Sequence, residues 1–305
     1  MFEVIKKSFS EFSEDRCTTL AAALAYYTIF SLPPLLFILV TIVSLSIGWF
    51  TDAGESKEDA YKVVQQQISV MIGNQAAEEE IGRIMKSAEQ SAGLGWKTAI
   101  SFVGILVGAT GVVASLQDSL NRVWGVKLAP DASGWKDVMM KRFMSLAMIL
   151  GLGFVLVVSF VLNTILDSIT AMVGDRVGFQ SQIATIVNFA VSFAVVTLIF
   201  AAIFKFMPDV DIQWRDVWIG ALVTAVLFTL GRIVLGVYFS YSSPGAELGS
   251  AAGSLVVLLV WVYYTAMIVL LGAEFTQVRV QHSGRVLKPE KGAVNFEERM
   301  VTAEQ

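Results

Sequence analysis

The 305-residue sequence holds one histidine, His282, and one cysteine, Cys17, and only 16% of it is charged. A single thiol excludes an internal disulfide and any multi-cysteine metal cluster; Cys17 reads as a small buried side chain at a helix start. A single imidazole excludes every mechanism that needs two, and His282 has no ligand partners near it in sequence. No cofactor or metal is expected. No GxxxxGK[ST] phosphate loop, HExxH pair or GxSxG elbow occurs, so the chain does not read as an enzyme. Acyl or phosphoryl transfer by Asp and Arg is the one enzymatic reading left open. The net charge is -4, and no clustered basic face marks a nucleic-acid partner.

What is present is apolar surface. Hydrophobic residues make up 55% of the chain and the mean hydropathy is +0.66, beyond the range of soluble domains. About 20 apolar residues cross a bilayer, and six stretches qualify: Leu20–Phe50, Thr98–Leu116, Phe143–Leu166, Ile183–Phe206, Val217–Tyr241 and Ala251–Ala273. The expected fold is an all-α, six-helix transmembrane bundle over residues 20–281. Its partners are membrane lipids, and a homo-oligomer is among the assemblies it allows.

Residues 1–19 place Phe2, Ile5, Phe9 and Phe12 at helical spacing around Lys6 and Lys7, the pattern of a helix lying in the membrane interface. The apolar run that follows is too long for a cleavable signal, so the first span is expected to stay in the protein. Of the 22 Lys and Arg, fifteen fall on the side of the two termini and seven on the other. Both termini are therefore expected to be cytoplasmic. The outer loop, residues 51–97, carries helical periodicity at Tyr61, Val64, Ile68 and Met71, with "SKED" from Ser56 as a capping box, and predicts a small helical cap. Residues 282–305 are polar, with Pro289 and Gly292, and read as a flexible tail.

Pro33 and Pro34 stand inside the first span. They remove a backbone hydrogen bond and push the preceding residue out of helical geometry, so a break near Ser31–Pro34 is expected. A break in lipid needs protein or a water-filled cavity to cover it; Tyr26, Tyr27, Thr28 and Ser31 can supply hydroxyls. The kink either lines a substrate cavity or only shapes the bundle.

Charges near or within the spans are the other candidates. Asp118 and Arg122 are four apart and share a helix face, with Gln117 and Asn121 beside them. They form either an interface clamp or a substrate contact. Glu274 ends the sixth span and could join them. Arg232 lies inside the fifth span, where an ionisable residue faces the bundle or snorkels. Gly104, Gly108, Gly111, Gly249 and Gly253 supply small faces for helix contact.

The segments "LAAALAYYTIFSLPPLL", "SLQDSLNRVWGV" and "LLVWVYYTAMIVLLGAEFTQ" resemble the YihY / virulence factor BrkB family of bacterial inner-membrane proteins, over nearly the whole chain. The resemblance implies a six-helix protein of the plasma membrane, concerned with envelope lipid traffic; the family's older ribonuclease label fits neither the charge nor the inventory above. It points to Ala25, Tyr26, Ser31 and Pro34, to Asn121 and Arg122, and to Gly272, Ala273 and Glu274. The basic position in the fifth span is Arg232 here, where Lys is expected to be common.

Together these readings give a transporter or flippase of a lipid-like, anionic amphipath. Its substrate site is expected to be bounded by Tyr26, Ser31, Asp118, Asn121, Arg122, Arg232 and Glu274, with Arg122 and Arg232 meeting the head group at two depths. The alternative is a scaffold or regulator of cell-envelope assembly acting through the outer cap. Transport could draw on an ion gradient or a partner chain, or be passive scrambling.

Overall fold

The computed structural model describes residues 2–31, 82, 111–129, 151, 180–241, 250–285, 287–290 and 292–296. Most of the described chain is helical. Pro33 and Pro34, most of the outer loop 51–97 and most of the second and third expected spans lie outside these residues.

Helix α1 spans Phe2–Glu14. Its narrow inner face buries Val4 and Ser8, while Phe2, Ile5 and Phe9 stay exposed, as an interfacial helix requires. The chain turns at Asp15 and Arg16, where Arg16 takes a left-handed φ of 52°, and continues as α2, Cys17–Ser31. Helix α3 covers residues 111–123. It ends at Gly125, whose φ of 61° lets the chain leave the helix without a Cβ penalty. Strand β1, Val126–Leu128, follows.

Three long helices come next: α4, Gln180–Phe206, α5, Trp214–Tyr241, and α6, Ser250–His282. Pro208 explains the end of α4, since a proline disfavours helical geometry in the residue before it. The apolar stretches Phe189–Phe206, Trp214–Tyr238 and Val256–His282 are long enough to cross a membrane. At about 1.5 Å per residue, the 33 residues of α6 exceed the roughly 30 Å of hydrocarbon, so one end projects. Helix α1 packs against that end, with Val4 on Phe275 and Val278 and Lys7 Nζ donating to Gln281 Oε1 at 3.4 Å.

Helix α5 shows why the membrane reading holds. Val217, Ala221, Ala225 and Phe228 are buried, whereas Trp218, Leu222, Val226, Leu230, Val234 and Val237 form a stripe along the helix that is 40–64% exposed. Two apolar faces on one helix, one of them uncovered by protein, require lipid as the second solvent.

The packed core gathers Ala21 and Leu24 of α2, Leu120 and Val123 of α3, Phe200 and Phe204 of α4, Val217 and Ala221 of α5, and Leu270 and Ala273 of α6. Helices α5 and α6 approach each other closely. A Cβ on Gly220 would collide with the Thr276 hydroxyl, one on Gly272 with the Thr224 hydroxyl, and one on Gly231 with the Tyr264 phenol. None of these is among the glycines whose spacing marks a small face in the sequence, although Gly272 is one of the positions to which the family resemblance points. Gly104, Gly108 and Gly249 lie outside the described residues, and a Cβ on Gly111 would meet only Ser31 Oγ, at 4.0 Å. Spacing marks a small face on a helix, but whether another helix lies against it depends on the bundle.

Two short antiparallel pairs close the strand-bearing end. Strand β2, Val210–Asp211, pairs with β3, Lys288–Pro289, and β1 pairs with β4, Ala293–Asn295, with Val126 opposite Asn295. The sequence reading expects residues 282–305 to be a flexible tail. Residues 287–290 and 292–296 are instead held by backbone hydrogen bonds to the loops between the spans. Gly284, at φ 72°, makes the turn out of α6 that starts this return.

Candidate functional site

A cleft of about 600 Å³ opens beside α2 and α3. Its described wall takes Leu20, Ala23 and Tyr27 from α2, and Gly111, Ala114, Ser115, Asp118 and Arg122 from α3. Both sets recur every three or four residues, so each is one face of its helix. Lys127 of β1 and Phe296 also line it, with the Lys127 ammonium 4.3 Å from the Phe296 ring centroid. The cleft is therefore amphipathic: apolar along α2, and bearing one carboxylate and two cations along α3 and β1.

The polar cluster expected on α3 divides between two tasks. Asp118 and Arg122 line the cleft, and Arg122 is within electrostatic reach of the Cys17 thiol. Asn121 also borders the cleft, but its amide is engaged by Asp209 in the loop after α4. Asn121 Nδ2 donates to Asp209 Oδ2 at 2.7 Å, and the Asp209 amide donates back to Asn121 Oδ1 at 2.8 Å. Gln117 Nε2, one turn earlier, donates to Asp209 Oδ1 at 3.0 Å. The backbone donor and the carboxylate acceptor together fix which way the Asn121 amide points. Asn121 thus acts as a clamp between α3 and the α4–α5 loop. Asn121→Leu, which takes one partner each from the half-buried Asp209 carboxylate and amide, is expected to destabilise the protein by about 1–3 kcal/mol; thermal unfolding in detergent measures it.

The other expected site residues separate. Tyr26 is 60% exposed and meets Tyr27 edge-on and Phe30 at a tilt, and it is Tyr27 that reaches the cleft. Ser31 is buried close to Gly111, at the α2–α3 contact. Glu274 is fully buried and accepts a hydrogen bond from Cys17 Sγ at 3.4 Å, beside Asp15 and Glu11. It is a polar contact between α2 and α6 and does not line the cleft. Arg232 is half-buried on α5, next to the Gly231–Tyr264 contact, and is also absent from the described lining. Of the seven residues expected at one site, three, Asp118, Asn121 and Arg122, stand in the described wall of the cleft. The angle about α2 sets Tyr26 apart: it lies about 100° around the helix from Tyr27, so the two cannot share a face.

Several residues that matter here were not singled out by sequence reasoning. Asp216, 1% exposed, opens α5 and receives Arg285 through both oxygens, at 2.6 and 2.9 Å, and Arg279 at 3.1 Å. Lys205 Nζ binds Asp211 Oδ1 at 3.1 Å and the Ile212 carbonyl at 2.7 Å. The available signal is the short loop "PDVDIQWRD", with Asp209, Asp211 and Asp216 between two apolar spans and basic residues in the tail. A second cavity, of about 230 Å³, is bounded by Leu24, Leu116, Phe200, Phe228 and Trp261 among others. Its described lining has no charged group that could orient a head group. Among the described residues no group of His, Cys, Asp and Glu could hold a metal ion.

Comparison with known proteins adds the family. The family model described as "Virulence factor BrkB" matches residues 8–295. A UPF0761 membrane protein of Teredinibacter turnerae is 28% identical over 93% of this chain and 61% of its own length. One of Pseudomonas aeruginosa is 28% identical over 86% of this chain and 59% of its own, and one of Pseudoalteromonas translucida is 26% identical over 86% and 81%. The chain thus spans about three fifths of the length of the first two. No solved structure matches.

Proposed function

The chain belongs to the virulence factor BrkB family, and on that premise we propose that it is a six-span protein of the bacterial plasma membrane that moves an anionic, lipid-like amphipath. Its strand-bearing end, where α1 and the returning chain lie, faces the cytoplasm in this reading, in keeping with the distribution of Lys and Arg. No covalent chemistry is assigned to it.

The observation that carries this reading is the cleft. An apolar wall from α2 suits acyl chains, and Arg122 and Lys127 suit a phosphate or carboxylate head group. Asp118 beside them disfavours a second negative charge and would limit how tightly the head group is held. A carrier needs that limit, because a ligand bound too strongly is not released.

The test is translocation of a labelled anionic phospholipid in proteoliposomes. Arg122→Ala is expected to slow it by about tenfold or more, since a charge-assisted hydrogen bond contributes about 1.5–3 kcal/mol. Arg232→Ala, outside the described lining, is expected to keep most of the rate. If no anionic or zwitterionic lipid moves with wild-type protein, with or without a proton gradient, transport is refuted. Loss of envelope function on deleting residues 54–91 would then favour the scaffold reading.

A further inference from the structure

The chain after α6 returns across the site. It is anchored at its base by the Arg285 fork on the buried Asp216 and by the β2–β3 pair, and Glu290 N donates to the Asp209 carbonyl at 3.0 Å. Asp209 is the residue that Asn121 and Gln117 hold, so this anchor joins the clamp on α3. Beyond Gly292 the attachment changes character. Strand β4 is three residues long, Val294 is exposed, and Phe296 N donates to the Gly125 carbonyl at 2.7 Å. Both ladders are short and marginal without further packing, but the base is backed by the Arg285 fork on Asp216, so the tip can open while the base stays closed.

The tip meets the cleft through Phe296, which lines it and lies against the Lys127 ammonium. One of the two cations lining the cleft thereby rests against an aromatic face, which holds it more weakly than an anion would. We propose that residues 292–296 are a strap that closes the mouth of the cleft over Lys127 and opens when an anionic head group takes the place of the Phe296 ring. This rests on the cleft being a ligand path, so its test includes a readout that does not depend on transport.

The reporter is Ser115→Cys, in the cleft wall, placed in a full-length Cys17→Ala background and labelled with a water-soluble maleimide. Adding Phe296→Ala is expected to raise the labelling rate about tenfold, the factor given by a loss of about 1.4 kcal/mol of closing free energy. Val294→Pro, which removes a ladder donor from β4, is a second way to free the tip and is expected to act in the same direction. Val126→Cys with Asn295→Cys, facing positions in the register, can be oxidised before labelling to lock the strap, and is expected to slow it. Dioleoylphosphatidylglycerol vesicles should speed labelling of the unlocked protein and leave the locked protein unchanged. Labelling indifferent to Phe296→Ala, Val294→Pro and the lock would overturn the strap. If labelling responds as expected but no lipid is translocated by any variant, the strap stands and the transport reading fails.

Discussion

Replacing Arg279 and Arg285 together with alanine is expected to destabilise the protein by about 3–5 kcal/mol, the range for a buried charge left without its partner. The cause is an asymmetry of exposure. The Asp216 side chain is 2% exposed, whereas Arg279 and Arg285 are 27% and 35% exposed. Without the arginines the carboxylate loses both of its charged partners; its position in the first turn of α5 recovers only about 0.3–1 kcal/mol from the helix dipole. Asp216→Ala frees two arginines that can turn toward solvent, and should cost less than the double substitution. Counting charges would give the opposite order, since the double substitution removes two and Asp216→Ala only one. Thermal unfolding of the three proteins in one detergent compares them, and equal melting temperatures for both variants would refute the argument. Because Arg285 anchors the returning chain, the double substitution is also expected to free residues 287–296 to proteolysis.

Gly272→Leu is expected to be as damaging, for a steric reason. The α5–α6 contact is reciprocal: Thr224 fills the space over Gly272 and Thr276 the space over Gly220. Each threonine also donates to the carbonyl of the glycine one turn before it on its own helix, Thr224 to Gly220 at 2.8 Å and Thr276 to Gly272 at 2.7 Å. Those bonds fix the side chains, so neither hydroxyl can move aside without losing its partner. Even one added methyl collides, and overpacking of this kind costs about 1–3 kcal/mol before any separation of the helices. Gly236, on α5 with nothing within 4 Å of a Cβ, is the control. Gly236→Ala is expected to be neutral or to stabilise by up to about 1 kcal/mol through helix propensity. Combining Gly272→Ala with Thr224→Ala should recover most of the loss of Gly272→Ala alone; additive losses would show that the collision is not the cause.

Much of the scaffold was legible in the chain. The fourth, fifth and sixth apolar runs match α4, α5 and α6 within a few residues, apart from α6 running on to His282, and the row Phe2, Ile5 and Phe9 is the exposed face of α1. The site was legible only where one helix supplied it. Asp118 and Arg122 share a face by spacing alone, and both line the cleft. Of the adjacent Tyr26 and Tyr27 it is Tyr27 that lines the cleft, and adjacent aromatics give no signal in sequence of which one faces inward. Glu274 lies inside α6, which runs on to His282, and its partner Cys17 is 257 residues away in sequence. Arg232 stood out by its rarity in an apolar run, a property that says nothing about direction.

The amino-acid sequence by itself determined the solvent and the helices, because hydropathy, helical period and proline or glycine breaks are properties of short windows of chain. It also determined the family, through three stretches that keep their order and spacing. Only the tertiary structure decided which residues meet: Asn121 with Asp209, Arg285 with Asp216, Thr224 with Gly272, and the returning chain with the cleft. Those pairings depend on the angle of each helix about its axis and on the closing of long loops. Hydrogen-bond geometry and close packing select among many such arrangements, and only for the assembled bundle.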